Sequence, residues 1–463
     1  MSNVRVAAAA VFFTACALLA GCGGGGESSS PAASAPNAPN ASAPVIANLA
    51  LDSKGTYQDA TISTTLVNGT FAIVSAGAGA VTVFNAVIYN AAGQNVGQIS
   101  APVQQGPGST VAFTVNLILA QLQTGVYSFS VSVQNAAGAI SNALSGTYSY
   151  LPNPWTTVPM PTANLGFRFP RYWTAVTEAG GKLYVVGGLQ APQGTAGTRF
   201  VDIFDPVSRT WSQAPNAATD RGGARAVTVD GKIYLIGGYD AFTRTPFAEV
   251  EVLDLATGQW SQAPALPVPR YLSAIAVLDR KIYILGGTQT PDAFNPLTVA
   301  QPMNRVDVFD TVTGVWSAAP ALPEPVFGAA ATAVNGVIYL SGGILTSGFN
   351  PTLSPRVRAY SPASGIWTQV GIHLTGRTDH ALIAAGGKLF AVGGSTVLNT
   401  VLGGSLTTES APLPATPAEG FTFKPSASIN QTAPYATVVS IGGKVYMFSN
   451  STLYILTPEL DLL

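Results

Sequence analysis

GKLYVVGG, residues 181–188, decides the fold. A tyrosine stands three positions before a pair of glycines, and the figure returns along the chain. Tyr184 precedes Gly187-Gly188, Tyr234 precedes Gly237-Gly238, Tyr283 precedes Gly286-Gly287, Tyr339 precedes Gly342-Gly343, and Phe390 precedes Gly393-Gly394. The first glycines step by 50, 49, 56 and 51 residues. A period near fifty with fixed internal points marks one supersecondary unit repeated, each copy unable to bury its apolar face alone.

Working outward, the unit has further fixed points. Sixteen residues before each first glycine stand Arg171, Arg221, Arg270, Val326 and Arg377. After each pair comes a variable stretch, then a strand such as Val201–Asp205, Val250–Asp254 or Val306–Asp310. A tryptophan follows: Trp211, Trp260, Trp316, Trp367. Each unit thus offers four short strands. Paired glycines at a strand end permit positive φ and close backbone approach, and Tyr and Trp bring large apolar bodies with polar tips.

Together these points resemble the kelch repeat, over residues 151–463. The resemblance implies an all-β chain with a six-bladed propeller, whose radial sheets leave only short edges. The sixth unit is Gly443-Lys-Val-Tyr446-Met-Phe-Ser449-Asn450, followed by a third strand at Leu453–Leu456 and little room for a fourth. Trp155 has no unit of its own, so its segment is expected to complete the last sheet and close the ring, removing an open edge. The fifth unit lacks a tryptophan, and Phe421 or Phe423 is expected in its place.

The front of the chain reads as an address. Residues 4–20 are almost wholly apolar after Arg5, too short for a stable span, and read as a secretory signal over residues 1–21. Leu19-Ala20-Gly21-Cys22 resembles a bacterial lipobox, which implies acylation of Cys22 and a membrane anchor. Gly23 after the cysteine implies, by the same resemblance, the outer membrane, facing the periplasm or the exterior. Residues 22–44 are Gly-, Ser-, Pro- and Ala-rich and read as a flexible tether. Of the two cysteines, Cys16 lies within the signal, so the mature chain has no disulfide to stabilise it.

Residues 45–150 read as a separate β-sandwich that resembles bacterial immunoglobulin-like modules. Tyr127, Phe129, Val131 and Val133 alternate with serines, a half-buried strand. Other strands are expected at Val45–Leu51, Thr61–Val67, Phe71–Val74, Val81–Tyr89, Val96–Ile99, Val111–Leu117 and Leu144–Tyr150. Asn90-Ala-Ala-Gly93 and Asn135-Ala-Ala-Gly138 read as turns.

Charged residues are only 9 % and the net charge is −1, so there is no basic field for nucleic acid. Antiparallel connectivity puts the arginines before the first strands on one face with the loops after the glycine pairs. Those loops are Leu189–Phe200, Tyr239–Glu249, Thr288–Arg305, Ile344–Arg356 and Ser395–Ser405. Arg171, Arg221, Arg270 and Arg377, with Arg199, Arg244, Arg305 and Arg356, therefore form a candidate anion-attracting rim, with Tyr172, Trp173 and Tyr271 as apolar surface for a sugar ring. The alternative is that the repeat arginine is structural and ties blades together.

Kelch proteins that resemble galactose oxidase use histidine-bound copper and a cysteine-linked tyrosine. Here only His373 and His380 are present, with no mature cysteine, so no metal, cofactor or catalytic set is expected. His380 is expected in the core or at the rim. These observations imply a non-catalytic binding module in the cell envelope, for a protein or glycan. The alternative is an enzyme on an acidic sugar, similar to the periplasmic sialic acid mutarotase, for which Asp220 and Asp379 are the acids nearest the rim.

Overall fold

The structure is a computed structural model. It describes residues 43–458 apart from 52–54, 59–63, 106, 120–121, 160–170, 191–195, 244, 291–299, 347–351, 397–406, 417–418, 428, 430–435 and 450–451. The signal, Cys22, nearly all of the tether and Arg244 lie outside the described residues, as do parts of all the loops named above. Two compact units divide between Asn153 and Pro154.

The first unit holds β1 (Val45–Leu51), β2 (Gly55–Tyr57), β3 (Thr64–Ser75), β4 (Val81–Tyr89), β5 (Asn95–Gln105), β6 (Thr110–Ile118), β7 (Gly125–Asn135) and β8 (Leu144–Leu151). One sheet has the order β1-β3-β6 and the other β2-β8-β7-β4-β5. A shared core joins them, with Phe71 of β3 against Phe84 of β4 at 5.9 Å. In β7 the alternation holds: Tyr127, Phe129, Val131 and Val133 are buried.

Two expected strands, Thr61–Val67 and Phe71–Val74, are one. Asn68 and Gly69, which lie between them, both sit in β3, paired with Thr114 and Phe113 of β6. The Phe113 ring covers Gly69, where a Cβ would collide with it. β5 is also longer than the Val96–Ile99 expected. The two Asn turns form as read. The Asn90 side-chain oxygen accepts from the Ala92 and Gln94 amides, and that of Asn135 from Ala137 and Ala139.

In the second unit the described strands make six larger sheets. Their first strands are Ala175–Ala179, Arg225–Val229, Ala274–Leu278, Ala330–Val334, Ala381–Ala385 and Thr437–Ile441. Each first strand neighbours the next, and the sixth returns to the first, so they form a ring. In each sheet a two-residue turn leads to a second strand that carries the repeat aromatic, for example Lys232–Ile236 after Asp230-Gly231. Asn335-Gly336 makes the same turn in the fourth sheet. In both turns the two residues have positive φ, the form that suits the twist of a hairpin.

The last sheet is composite. β9 (Trp155–Pro159) pairs antiparallel with Thr452–Leu456, with Trp155 opposite Leu456. The two ends of the unit thus share one sheet.

Apolar clusters lie between neighbouring sheets. Val186 and Val201 of the first pack with Ile233, Leu235 and Leu253 of the second. Leu183 and Phe204 of the first pack with Phe448 and Leu453 of the sixth. Full burial of such side chains contributes about 1.5–3 kcal/mol each.

The tryptophans stitch these seams with their polar edges. Trp260 Nε1 donates to Pro215 O at 2.8 Å, Trp316 Nε1 to Pro264 O at 2.9 Å, and Trp367 Nε1 to Pro320 O at 3.1 Å. Each acceptor lies four residues beyond the tryptophan position of the preceding sheet. Trp155 Nε1 donates to Ala427 O, four residues beyond Phe423. Phe423 is fully buried, beside the strand Lys424–Pro425 that pairs with the third strand of the fifth sheet. Phe423 therefore holds the missing tryptophan position, whereas Phe421 pairs with Gly371 on the edge of the fourth sheet.

Candidate functional site

The arginine positions and the glycine pairs share one face, because the residue after each arginine position bridges the residue after a glycine pair. Tyr172 pairs with Leu189, and Gly222, Tyr271, Phe327 and Thr378 with Tyr239, Thr288, Ile344 and Ser395. The backbone explains the fixed spacing. The Gly188 amide donates to Arg221 O of the next sheet at 2.9 Å, and the Gly343 amide to Arg377 O at 2.8 Å. A Cβ on Gly187 would lie 2.8 Å from that same Arg221 oxygen, and Gly187 and Gly188 both have positive φ. The glycine pair is the place where one sheet receives the backbone of the next.

The arginine side chains turn the other way, into their own sheets. Arg171 reaches Asp202 at 2.5 Å and Gly187 O at 2.9 Å. Arg221 pairs with Glu251 and donates to Gly237 O and Glu249 O. Arg270 meets Asp307 at 2.6 Å, and Arg377 pairs with Glu409 and Gly393 O. All four side chains are 0 % exposed. Burial pulls the Arg221, Arg270 and Arg377 guanidinium groups down from their ordinary value, against the attraction of their acids.

The rim reading of these four is therefore corrected. Fully enclosed and ion-paired, they face no ligand. Each side chain is a latch, locked to the third strand of its own sheet, and Arg221, Arg270 and Arg377 also offer their backbone oxygens to the preceding sheet.

Where the latch is missing, both halves are missing. The fourth sheet has Val326 at the arginine position and Arg358 at the acid position, and Arg358 instead pairs with Glu324 at 2.5 Å. In the sixth unit the corresponding residues are Ala433 and Tyr454.

The other described rim arginines, Arg199, Arg305 and Arg356, are accessible but matched. Arg199 is 52 % exposed and 3.9 Å from Asp220. Arg305 holds Asp307 with two nitrogens, and Arg356 holds Glu324. Among the described residues the face is thus not an open cationic field. Tyr271 is also corrected as a sugar platform. It is buried, stacked on Tyr239 at 4.7 Å, and its hydroxyl donates to Thr290 O. Tyr172 and Trp173 remain half-buried, edge to face at 6.2 Å.

Where the inner strands begin, a cavity of about 110 Å³ opens among Trp173, Gly223, Arg225, Leu272, Asp379 and His380. Two residues beyond each arginine position the backbone is left-handed: Trp173, Gly223, Leu272, Gly328 and Asp379. Backbone bonds of 2.8 Å join Gly223 to Trp173, Gly328 to Leu272 and Asp379 to Gly328.

Burial raises the Asp379 carboxyl to about 7, against the pull of Arg225. His380 accepts or donates at Ser341 Oγ, 2.7 Å away, and burial holds it well below its ordinary pKa, so it is neutral at physiological pH. His373 contacts Glu409 at 3.2 Å, beneath the Arg377 latch. Asp220, the other acid named above, is on the exposed loop edge with Arg199. Arg225 was not among the residues singled out from the sequence, although a signal exists. It stands where the other first strands begin with Ala175, Ala274, Ala330, Ala381 and Thr437.

Comparison with known families matches residues 173–394 to the KLHDC2/KLHL20/DRC7 Kelch-repeats domain. The match supports reading these repeats as kelch repeats. The Kelch-like protein terF of Aspergillus terreus is 28% identical over 283 residues, covering 58% of this chain and 49% of that protein. The Arabidopsis thaliana F-box/kelch-repeat protein At4g39550 is 35% identical over 69 residues, covering 15% of this chain and 17% of its own length. Human Kelch repeat and BTB domain-containing protein 13 is 32% identical over 128 residues, covering 26% of each. The chain therefore spans half or less of each of these relatives. Together with the sheets described above, the match supports a kelch β-propeller over this region.

Proposed function

We propose that this chain is a non-catalytic binding module, in which a six-bladed kelch propeller presents its double-glycine face to a protein partner. The observation that carries this reading is Phe242. It stands 89 % exposed on the loop after Gly237-Gly238. Its position is built, since the Asp240 carboxylate accepts from the Phe242 amide at 2.8 Å and the Thr243 amide at 3.1 Å. A large ring held in water on a variable loop is the kind of group that anchors an interface. The kelch match supports the same class of function.

The test is crosslinking of the full chain in its native envelope, with and without Phe242→Ala. A protein adduct weakened roughly tenfold by the substitution supports the reading. Unchanged capture, or saturable glycan binding in its place, overturns it.

The flanking assignments belong to the same proposal. The first unit is read as immunoglobulin-like. Its strand order supports this, as does Tyr127 near the start of β7, whose hydroxyl donates to Gln123 O at 2.5 Å in the manner of a tyrosine corner. Cys22 is the proposed lipid anchor to the outer membrane. Metabolic labelling with an alkyne fatty acid should mark the chain and fail with Cys22→Ser. Label that survives the substitution contradicts the anchor.

A further inference from the structure

We propose that the axial cavity of the propeller is a binding site for a small hydroxycarboxylate, held at its carboxylate by Arg225 and at its hydroxyl by Asp379. Three observations carry this, and none depends on the partner-binding reading above.

The first is the place of Arg225. The other first strands begin with a small residue, and the walls of the cavity are otherwise largely apolar. A long cation here does not follow from the repeat.

The second is its bonding. Arg225 Nε donates to Ser273 O at 2.6 Å, which fixes the guanidinium in the cavity. Among the described residues no carboxylate lies within 4.0 Å of it. Among the described residues, the latch and rim arginines named above are all matched by acids, and Arg225 is not. A guanidinium fixed through Nε presents its two remaining nitrogens side by side, the fork that grips a carboxylate.

The third is Asp379. It is nine-tenths buried, and its backbone takes a left-handed turn that the first four units make with Trp173, Gly223, Leu272 and Gly328. It interacts electrostatically with Arg225 without forming an ion pair. The facing charged and titratable groups are Arg225 and His380, and His380 is engaged by Ser341. A cation and a carboxyl held apart in a small cavity can be bridged by a molecule with an acidic end and a hydroxyl end. About 110 Å³ admits only a few heavy atoms or several waters.

The test uses the full chain and follows the Trp173 indole proton by NMR during titration with glycolate, acetate and the neutral isostere glycolamide. Glycolate should shift the signal saturably and more tightly than acetate, and glycolamide should not. Arg225→Ala should weaken glycolate by roughly tenfold or more. This variant installs the residue that four other first strands carry, so the fold should survive, as circular dichroism would verify. Should it not, Arg225→Gln keeps polar length and removes the charge, with the same expected loss of binding. Asp379→Asn should erase the preference for glycolate over acetate. Absence of a saturable glycolate shift, equal binding of glycolamide, or unchanged binding after loss of Arg225 overturns the proposal.

Discussion

The second and fourth sheets of the propeller share a backbone plan and differ at one buried pair. In the second, Arg221 and Glu251 close on one another inside the sheet. In the fourth, Val326 is buried at the arginine position, and Arg358 at the acid position turns to Glu324. Yet Val326 O still accepts the Gly287 amide, as Arg221 O accepts that of Gly188. The backbone of this position is the joint between sheets and tolerates a change of side chain. The side chain is one half of a pair and is lost only with its partner. Within this chain the arginine thus behaves as a structural latch.

The largest effect should come from breaking one latch half. Arg221→Ala leaves Glu251 buried without its cation, and a stranded buried charge costs about 3–5 kcal/mol. Urea denaturation should show the loss as a lower midpoint. A change below about 1 kcal/mol would mean that the pair is not buried in solution.

The comparison sharpens at Asp379, a buried acid with no cation in ion-pair reach among the described residues. Its folded pKa of about 7 lies above its ordinary value of 3.8. The folded state therefore keeps a proton that the unfolded chain has released. The sign follows: the contribution of Asp379 to stability falls as pH rises from about 4 towards 7, by at most about 1.4 kcal/mol per unit, and levels off above. Asp379→Asn should remove this slope. The difference between wild-type and variant stability curves across that window is the measurement.

A smaller effect is expected at the seams. Trp316→Phe keeps most of the ring but loses the bond to Pro264 O, at a cost of about 0.5–1.5 kcal/mol in denaturation. Smallest of all, Arg199→Ala removes an exposed pair with Asp220 and should change stability by less than about 0.5 kcal/mol. An effect at Arg199 that equals the one at Arg221 would erase the distinction between rim and latch.

Much of this architecture is legible in the sequence because the repeat has few degrees of freedom. Tyr, Gly-Gly and Trp in register define the first four sheets, and an unaccompanied Trp155 points to the shared last sheet. Phe423 was one of two choices, settled only by the strand at Lys424–Pro425 and the bond from Trp155 to Ala427. In the first unit, the break expected between Val67 and Phe71 is absent, and the Phe113 ring that covers Gly69 there arrives from a strand some forty residues later, beyond a local reading.

Two roles stand open for the arginines in the sequence for the same reason. A sequence displays a charge but not the acid about thirty residues on that neutralises it. The pairing could still have been read across units, since Asp202, Glu251, Asp307 and Glu409 accompany arginine, and Arg358 accompanies valine. Arg225 could have been found as the exception among small residues at the head of the first strands.

The central claim is tested most directly by two double-mutant cycles run side by side in urea denaturation, one on Arg221 and Glu251, the other on Val326 and Arg358. Each residue is replaced by methionine singly and together. The latch account predicts a coupling of about 2–3 kcal/mol for the first pair and additivity within about 0.5 kcal/mol for the second. Additive effects at Arg221 and Glu251, or equal coupling in both sheets, would contradict it.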